Sequence, residues 1–420
     1  MYKRTSLTGG VNLTGVYSGK HKTNLLLVSF LLDLNPLNAT SLNLLSKVLL
    51  RGTSSYPDLA SLSRACDDNY ALGLDAFTIK KGEGISLVFS LSTLKNKYAL
   101  DGEDIFARGL EILSELIFSP YLPGGTFYVD YVNREKEALK EQILSLINNK
   151  PAYAMRQAIN LMCQNEAYAV PSYGDIETLE GLDNTKLTEI YNSVISTAPV
   201  EIVFCGEYDI DYVNHMLAQN LPFTQRDYSL PKVYRPEKPS KVKTFTEKAD
   251  ATQSNLVMGF RTGEYLTGKA YSAYTIFNEI FSQSPVSKLF MNVREKKSLC
   301  YYCSAHADRL KGVMAVTAGI NASAFEKAKK EIIIQLEDMK RGKITENEFK
   351  SAITSAVSAC RELDDNPAQV CSYYLSRLIN GEIITPEDEI KSINSLTPDD
   401  IIQVAKEITL DTVFLLEGNS

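Results

Sequence analysis

TKLTEIYNSVISTAPVEIVFCGE, residues 185–207, and TPDDIIQVAKEITLDTVFLLEGN, residues 397–419, carry one pattern twice. In each, a threonine precedes apolar residues at helical spacing, and a β-rich run (Val203-Phe204 or Val413-Phe414) ends at a glycine. The distance from threonine to glycine is 21 residues both times, Thr185 to Gly206 and Thr397 to Gly418. Upstream, NNKPAYAMRQAINLM around Pro151 answers DDNPAQVCSYYLSRLI around Pro367. Each follows a long helical pattern and opens another, with proline in the first turn, where its missing N–H does no harm. Two shared segments in the same order indicate a duplicated fold.

Outward from these segments, each half opens with β-type runs, Leu25–Leu32 and Ser254–Gly259, and continues into helical pairs. No regular βαβ rhythm appears, so α+β domains are expected. SLPKVYRPEKPSKVK, Ser229–Lys243, is rich in proline and charge and reads as a solvated linker. The expected organisation is two homologous α/β sandwich domains, residues 1–228 and 244–420, each an antiparallel sheet backed by helices. They are expected to face each other across a cleft. Gly342 stands where a C-cap glycine belongs, and Thr345 with Glu348 forms a capping-box pattern that starts the next helix.

Bulk properties exclude several classes. The 420 residues are 44% hydrophobic and 23% charged, as in an ordinary folded protein. A net charge of −7 gives no counterion-release grip on a phosphate backbone, so no nucleic acid is expected. MYKRTSLTGGVNLTG has no apolar core behind its basic residues, and the longest greasy run, Leu25–Leu32, is far short of the roughly 20 residues a membrane helix needs. A cytoplasmic protein with no membrane partner is expected. The seven cysteines follow no framework, which fits reduced thiols. Cys300 and Cys303 form one CxxC, with no second pair to complete a zinc site. The glycines before Lys20 fail as a phosphate loop, because Thr14 stands where glycine is needed and His21 where Ser or Thr is needed. No G-x-S-x-G elbow exists either.

NLLSKVLLRGTSSYP, Asn43–Pro57, resembles the metal helix of the M16 zinc peptidases, the insulinase/pitrilysin-like family with the LuxS/MPP-like fold. That family writes HxxEH, then hydrophobics, a basic residue and Gly-Thr. Two imidazoles four residues apart share one helical face and can hold a metal, with the glutamate as base. Aligned on Arg51-Gly52-Thr53, the histidines fall on Asn43 and Lys47 and the glutamate on Ser46. EKEALKEQI resembles the segment bearing the third ligand, with Glu135 at its first glutamate and Gln142 at the ligand position; Glu141 points away. Only His21, His215 and His306 exist, and no pair has zincin or inverzincin spacing. The resemblance therefore implies no catalytic residue and no metal or other cofactor in this chain.

The second half keeps more of the pattern. TQSNLVMGF, Thr252–Phe260, resembles a strand opening the family's C-terminal domain, and SKLFMNVREKKSLCYY, Ser287–Tyr302, matches its S-x-L-F-x-x-[LV]-R-E-x-x-x-L-x-Y motif. Arg294 and Tyr301 fall on the residues that hold substrate beside zinc in active relatives. GLDAFT, Gly73–Thr78, resembles an edge strand that binds substrate by β-addition, with Asp75 in place of the usual asparagine. The chain is thus similar to the non-catalytic, YfmF-like members of two-chain M16 systems. The resemblance implies a heterodimer with a zinc-bearing homologue, or a homodimer in isolation, and a peptide or protein substrate. Zinc is then expected only in the partner. Two alternatives stand: a purely structural or binding protein with no role in cleavage, and an independent metallopeptidase with an unrecognised metal site. At single residues, Arg294 has the plainer reading of an ion pair with Glu295 or Glu326, and Tyr301 of a core ring. Lys47 is either an idle surface lysine or an ammonium that replaces the metal charge and pairs with Glu135.

Overall fold

The computed structural model describes residues 2–100, 102–263 and 267–419. In chain order the first elements are β1 (Tyr2–Thr8), β2 (Val11–Tyr17), β3 (Thr23–Asp33), α1 (Pro36–Leu49), α2 (Leu59–Asp68), β4 (Gly73–Lys81) and β5 (Gly84–Leu94). Next come α3 (Ile105–Phe118), α4 (Val129–Ser145), α5 (Lys150–Met162), α6 (Ile176–Glu180), α7 (Asn184–Thr197), β6 (Val200–Gly206) and α8 (Ile210–Asn220). Then follow β7 (Lys243–Lys248), β8 (Ser254–Arg261), α9 (Gly268–Asn278), β9 (Tyr302–Asp308), β10 (Val313–Ile320), α10 (Phe325–Lys340) and α11 (Glu346–Glu362). The last are α12 (Pro367–Ile379), α13 (Pro386–Asn394), α14 (Pro398–Glu407) and β11 (Thr409–Glu417).

These elements form two compact units. The first takes residues 2–144, Val170–Lys232 and Leu363–Ile379; the second takes Ser145–Ala169, Val233–Glu362 and residues 380–419. The first holds a six-stranded sheet, β1-β2-β6-β3-β5-β4, and the second a five-stranded sheet, β7-β11-β8-β10-β9. The second order repeats β2-β6-β3-β5-β4 of the first, so the twin helix–strand segments end in equivalent strands, β6 and β11. Each sheet is antiparallel apart from one pair, β2 with β6 and β7 with β11, which run parallel. The expectation of wholly antiparallel sheets is refined to that extent.

The proline-led repeats have a less obvious fate. α5, from the first half of the sequence, packs in the second unit, while α12, from the second half, packs in the first. This explains why the central strands lack polar–apolar alternation. A strand covered on both faces is apolar throughout, and β8 is buried from Ser254 to Arg261. Leu256, Met258 and Phe260 face the main helical layer, whereas Val257 on the other side packs with Ala154 and Ala158 of α5. The alanines let the helix come close. Gly259 is required for the same reason, since a Cβ there would lie 2.6 Å from the Met162 sulfur.

Local signals behave as their chemistry directs. Gly342 is left-handed (φ 76°) just past α10. The Thr345 amide donates to Glu348 Oε2 (2.8 Å) and the Glu348 amide to Thr345 Oγ1 (3.2 Å), closing the expected capping box. The segment read as a solvated linker is partly packed: Arg235 donates to the Leu310 carbonyl (2.6 Å) and the Tyr234 carbonyl accepts from Lys311. Among the described residues, no helix is long and apolar enough to cross a membrane.

Candidate functional site

In the first unit, α1 starts at Asn35, whose side chain accepts from the Asn38 amide, and runs into the segment matched to the metal helix. Asn43 faces β4, which is an edge strand as expected. Its Nδ2 donates to the carbonyls of Ala39 (2.9 Å) and Ser172 (2.6 Å), and its Oδ1 accepts from Thr78 Oγ1 (3.1 Å). Both amide hydrogens are thereby committed, and the residue ties α1 to the sheet edge. Ser46 is buried and donates from Oγ to the Asn43 carbonyl (2.9 Å), so its proton is spent inside the helix. Asp75 is exposed on β4, where its carboxylate accepts from the Ala76 amide (2.8 Å). Gln142 and Glu141 are both exposed on α4.

Lys47 does not take Glu135. That carboxylate is buried and accepts from Arg51, whose Nε lies 2.6 Å from Oε1, with Nη2 on the same oxygen. Arg51 sits one turn beyond Lys47, and a fork with fixed donors holds a carboxylate better than a single flexible ammonium. Sequence reasoning used Arg51 only as an alignment anchor. The signal was there, since a basic residue one turn past the helix face and a glutamate at a core position of α4 need each other. Lys47→Ala is expected to change unfolding free energy by less than about 0.5 kcal/mol. Arg51→Ala is expected to cost on the order of 2–3 kcal/mol, because it strands a buried carboxylate, less than a fully buried pair since Arg51 is partly exposed. Urea unfolding of the two variants measures the contrast.

The Gly-Thr that follows is structural here. A Cβ on Gly52 would come within 2.7 Å of the Tyr56 and Pro57 backbone. Glu115 accepts from Thr53 Oγ1 (2.8 Å) and Ser55 Oγ (2.5 Å). Burial pushes this carboxyl upward, but the bonds from Ser55 and Thr53 outweigh it and hold the group below the usual range. The family's zinc does not fit these residues. Positions 43, 46, 47 and 142 offer a committed amide, a committed hydroxyl, an ammonium stem and an exposed amide. Among the described residues, no group of three or more His, Cys, Asp or Glu is placed to hold a metal.

The second unit presents the other motif differently. Arg294 lies in a run of π-type turns, Leu289–Lys296, anchored by buried Leu289 and Val293. Such turns recur at functional positions. The guanidinium stands over the Phe290 ring (4.9 Å to its centroid) and 3.6 Å from Glu295. Both partners of that contact are about half exposed, so it holds Arg294 weakly. Tyr301 is 61% exposed and is not a core ring. Its amide donates to the Gly319 carbonyl (2.8 Å) and its hydroxyl to Asn321 Oδ1 (3.2 Å). Asn43 and Ser46 are turned inward to structural bonds, Lys47 is half-buried and Gln142 exposed, and Arg294 and Tyr301 keep polar groups at the surface.

The profile of the Peptidase M16 inactive domain matches residues 181–356. The probable inactive metalloprotease YmfF of Bacillus subtilis (strain 168) is 32% identical over 412 residues, covering 98% of this chain and 96% of that one. A conserved protein from Enterococcus faecalis V583 superposes with a TM-score of 0.91 at 30% identity, covering 100% of this chain and 99% of that one. A peptidase M16 inactive domain from Pseudomonas fluorescens has the same fold, with a TM-score of 0.80 at 17% identity over 100% of this chain and 98% of that one. With the metal helix emptied of ligands and the full length matched to an inactive relative, the chain belongs to the M16 peptidase family, as an inactive homologue.

Proposed function

We propose that this chain is the non-catalytic subunit of a two-chain M16 peptidase, pairing with a zinc-bearing homologue in the cytoplasm and helping to bind the peptide substrate. One contrast carries the reading. Asn43 and Ser46 on the metal helix are committed to structural bonds, whereas Arg294, on a well-anchored turn, and Tyr301, just before β9, stay exposed. Arginine supplies fixed donors for a substrate carbonyl or a developing oxyanion, and the tyrosine hydroxyl can donate to the same group. The edge strand β4, with Asp75 exposed on it, offers backbone groups for an added strand.

Zinc content and peptidase activity of the chain, alone and mixed with a zinc-bearing M16 homologue, test the proposal. The expected result is a metal-free, inactive chain and a mixture more active than the homologue alone. A mixture that assembles without gain would favour a purely structural subunit. Stoichiometric zinc and cleavage by the chain alone would overturn the reading.

A further inference from the structure

The segment after α8 carries a buried charge that the first unit does not neutralise. Arg226 is only 8% exposed. Its Nε donates to the Thr224 carbonyl (3.1 Å), and its Nη1 donates to the carbonyls of Ile195 (2.9 Å) and Ala198 (3.2 Å) at the end of α7. Among the described residues, Nη2 has no hydrogen-bond partner and the guanidinium has no carboxylate in ion-pair range. The Phe223 ring, 5.2 Å from the guanidinium carbon, is neutral. Carbonyls at a helix end supply only about half an elementary charge. A full positive charge is therefore left partly uncompensated in an interior where charges are ordinarily paired. Burial accordingly holds Arg226 below its ordinary pKa, with no acidic neighbour raising it.

A cavity of about 530 Å³ opens beside this group, with all its walls in the first unit. That is the size of a small-molecule site. Among the described residues that line it, Arg226 alone is charged. Phe118, Leu122 and Ile195 give it an apolar wall, each of them partly exposed. Ser54, Ser119 and Asn192 stand exposed around it, and their side chains make no hydrogen bond to the described residues. Those groups are free to bond a ligand.

We propose that this cavity binds a small organic carboxylate, its anionic group on Arg226 and its apolar body against Phe118, Leu122 and Ile195. An anion supplies the missing charge, and a charge-assisted hydrogen bond is roughly twice as strong as a neutral one. Capping α7 occupies Nη1 but leaves both Nη2 hydrogens for the ligand. With one open nitrogen and an apolar wall, a singly charged group carrying hydrocarbon fits better than a compact phosphate dianion. The site does not depend on pairing with a zinc-bearing homologue.

The test is isothermal titration calorimetry of the full chain with three probes: N-acetyl-phenylalanine, its neutral C-terminal amide, and inorganic phosphate. Expected is saturable binding of the acid at one site, with the amide and phosphate each at least about tenfold weaker, the scale for losing one charge-assisted hydrogen bond. Arg226→Gln should abolish the preference for acid over amide. Because that variant also loses bonds to the end of α7, Asn192→Asp provides a second reading on an undisturbed fold. It places a negative charge on an exposed side chain of the cavity, and should weaken the acid several-fold while leaving the amide and the unfolding midpoint unchanged. Equal binding of acid and amide, or an acid indifferent to Asn192→Asp, would overturn the proposal. Phosphate bound more tightly than the acid would overturn the ligand class. No saturable binding of any probe would also overturn it, leaving Arg226 as a cap on α7.

Discussion

Replacing Glu166 by alanine is expected to destabilise the protein by about 3–5 kcal/mol, the usual cost of removing one member of a buried ionic group. Glu166 accepts from Arg261 (2.5 Å) and Lys311 (2.5 Å), and Arg261 also holds Asp411 (2.9 Å); all four side chains are at least nine-tenths buried. Arg261 donates further to the Met162 carbonyl (3.0 Å), at the end of α5. The group therefore fastens the exchanged segment to its sheet. Without the carboxylate, the buried Lys311 ammonium loses its ionic partner Glu166. The exposed Lys350–Glu346 pair is the control, where removal should change stability by less than about 1 kcal/mol. Urea midpoints at constant slope measure both. Equal small effects would show that the buried group is not held as described.

The same residue predicts a pH dependence. Burial pushes the Glu166 carboxyl upward, but the bonds from Arg261 and Lys311 prevail and hold it below its ordinary value. A depressed folded value stabilises the native state above the unfolded value, about 4.3 for glutamate, and that contribution disappears as pH falls through the folded one. Acid should weaken the wild type over that window more steeply than Glu166→Gln. Parallel acid titrations of the two would remove the assignment.

Under the proposed pairing with a zinc-bearing homologue, Arg294→Ala should lower cleavage by about 100-fold, the scale for losing one preorganised donor to a developing oxyanion. Assembly and unfolding midpoint should stay unchanged, because Arg294 is half exposed and its contact with Glu295 is loose. Arg294→Lys should recover only part of the rate, since an ammonium lacks the planar fork. Full activity in Arg294→Ala with assembly intact would leave the chain a structural subunit.

Much of the fold was legible because it was written twice. The threonine-to-glycine segments end in equivalent strands, and the proline-led segments become α5 and α12. Their exchange was not legible. Alanines at 154 and 158 state that the helix packs closely on something, but local spacing does not say which sheet it covers. The expectation that α1 holds no metal rests on Asn43, Ser46, Lys47 and the scarcity of histidine. The partner of Glu135 was missed because Arg51 and α4 meet across 84 residues, and pairing at such range leaves no periodic trace.

The traded helices also bear on how a silenced half can persist. Ala154 and Ala158 are encoded in the first half, yet their fitness is decided by Val257, Ala315 and Phe414 of the second. Val370 and Leu375 are in the reverse position, inherited with the second half but housed in the first unit. Mutational drift can therefore erase the metal ligands of α1 without releasing its half from selection, because each half is retained as part of the other's core.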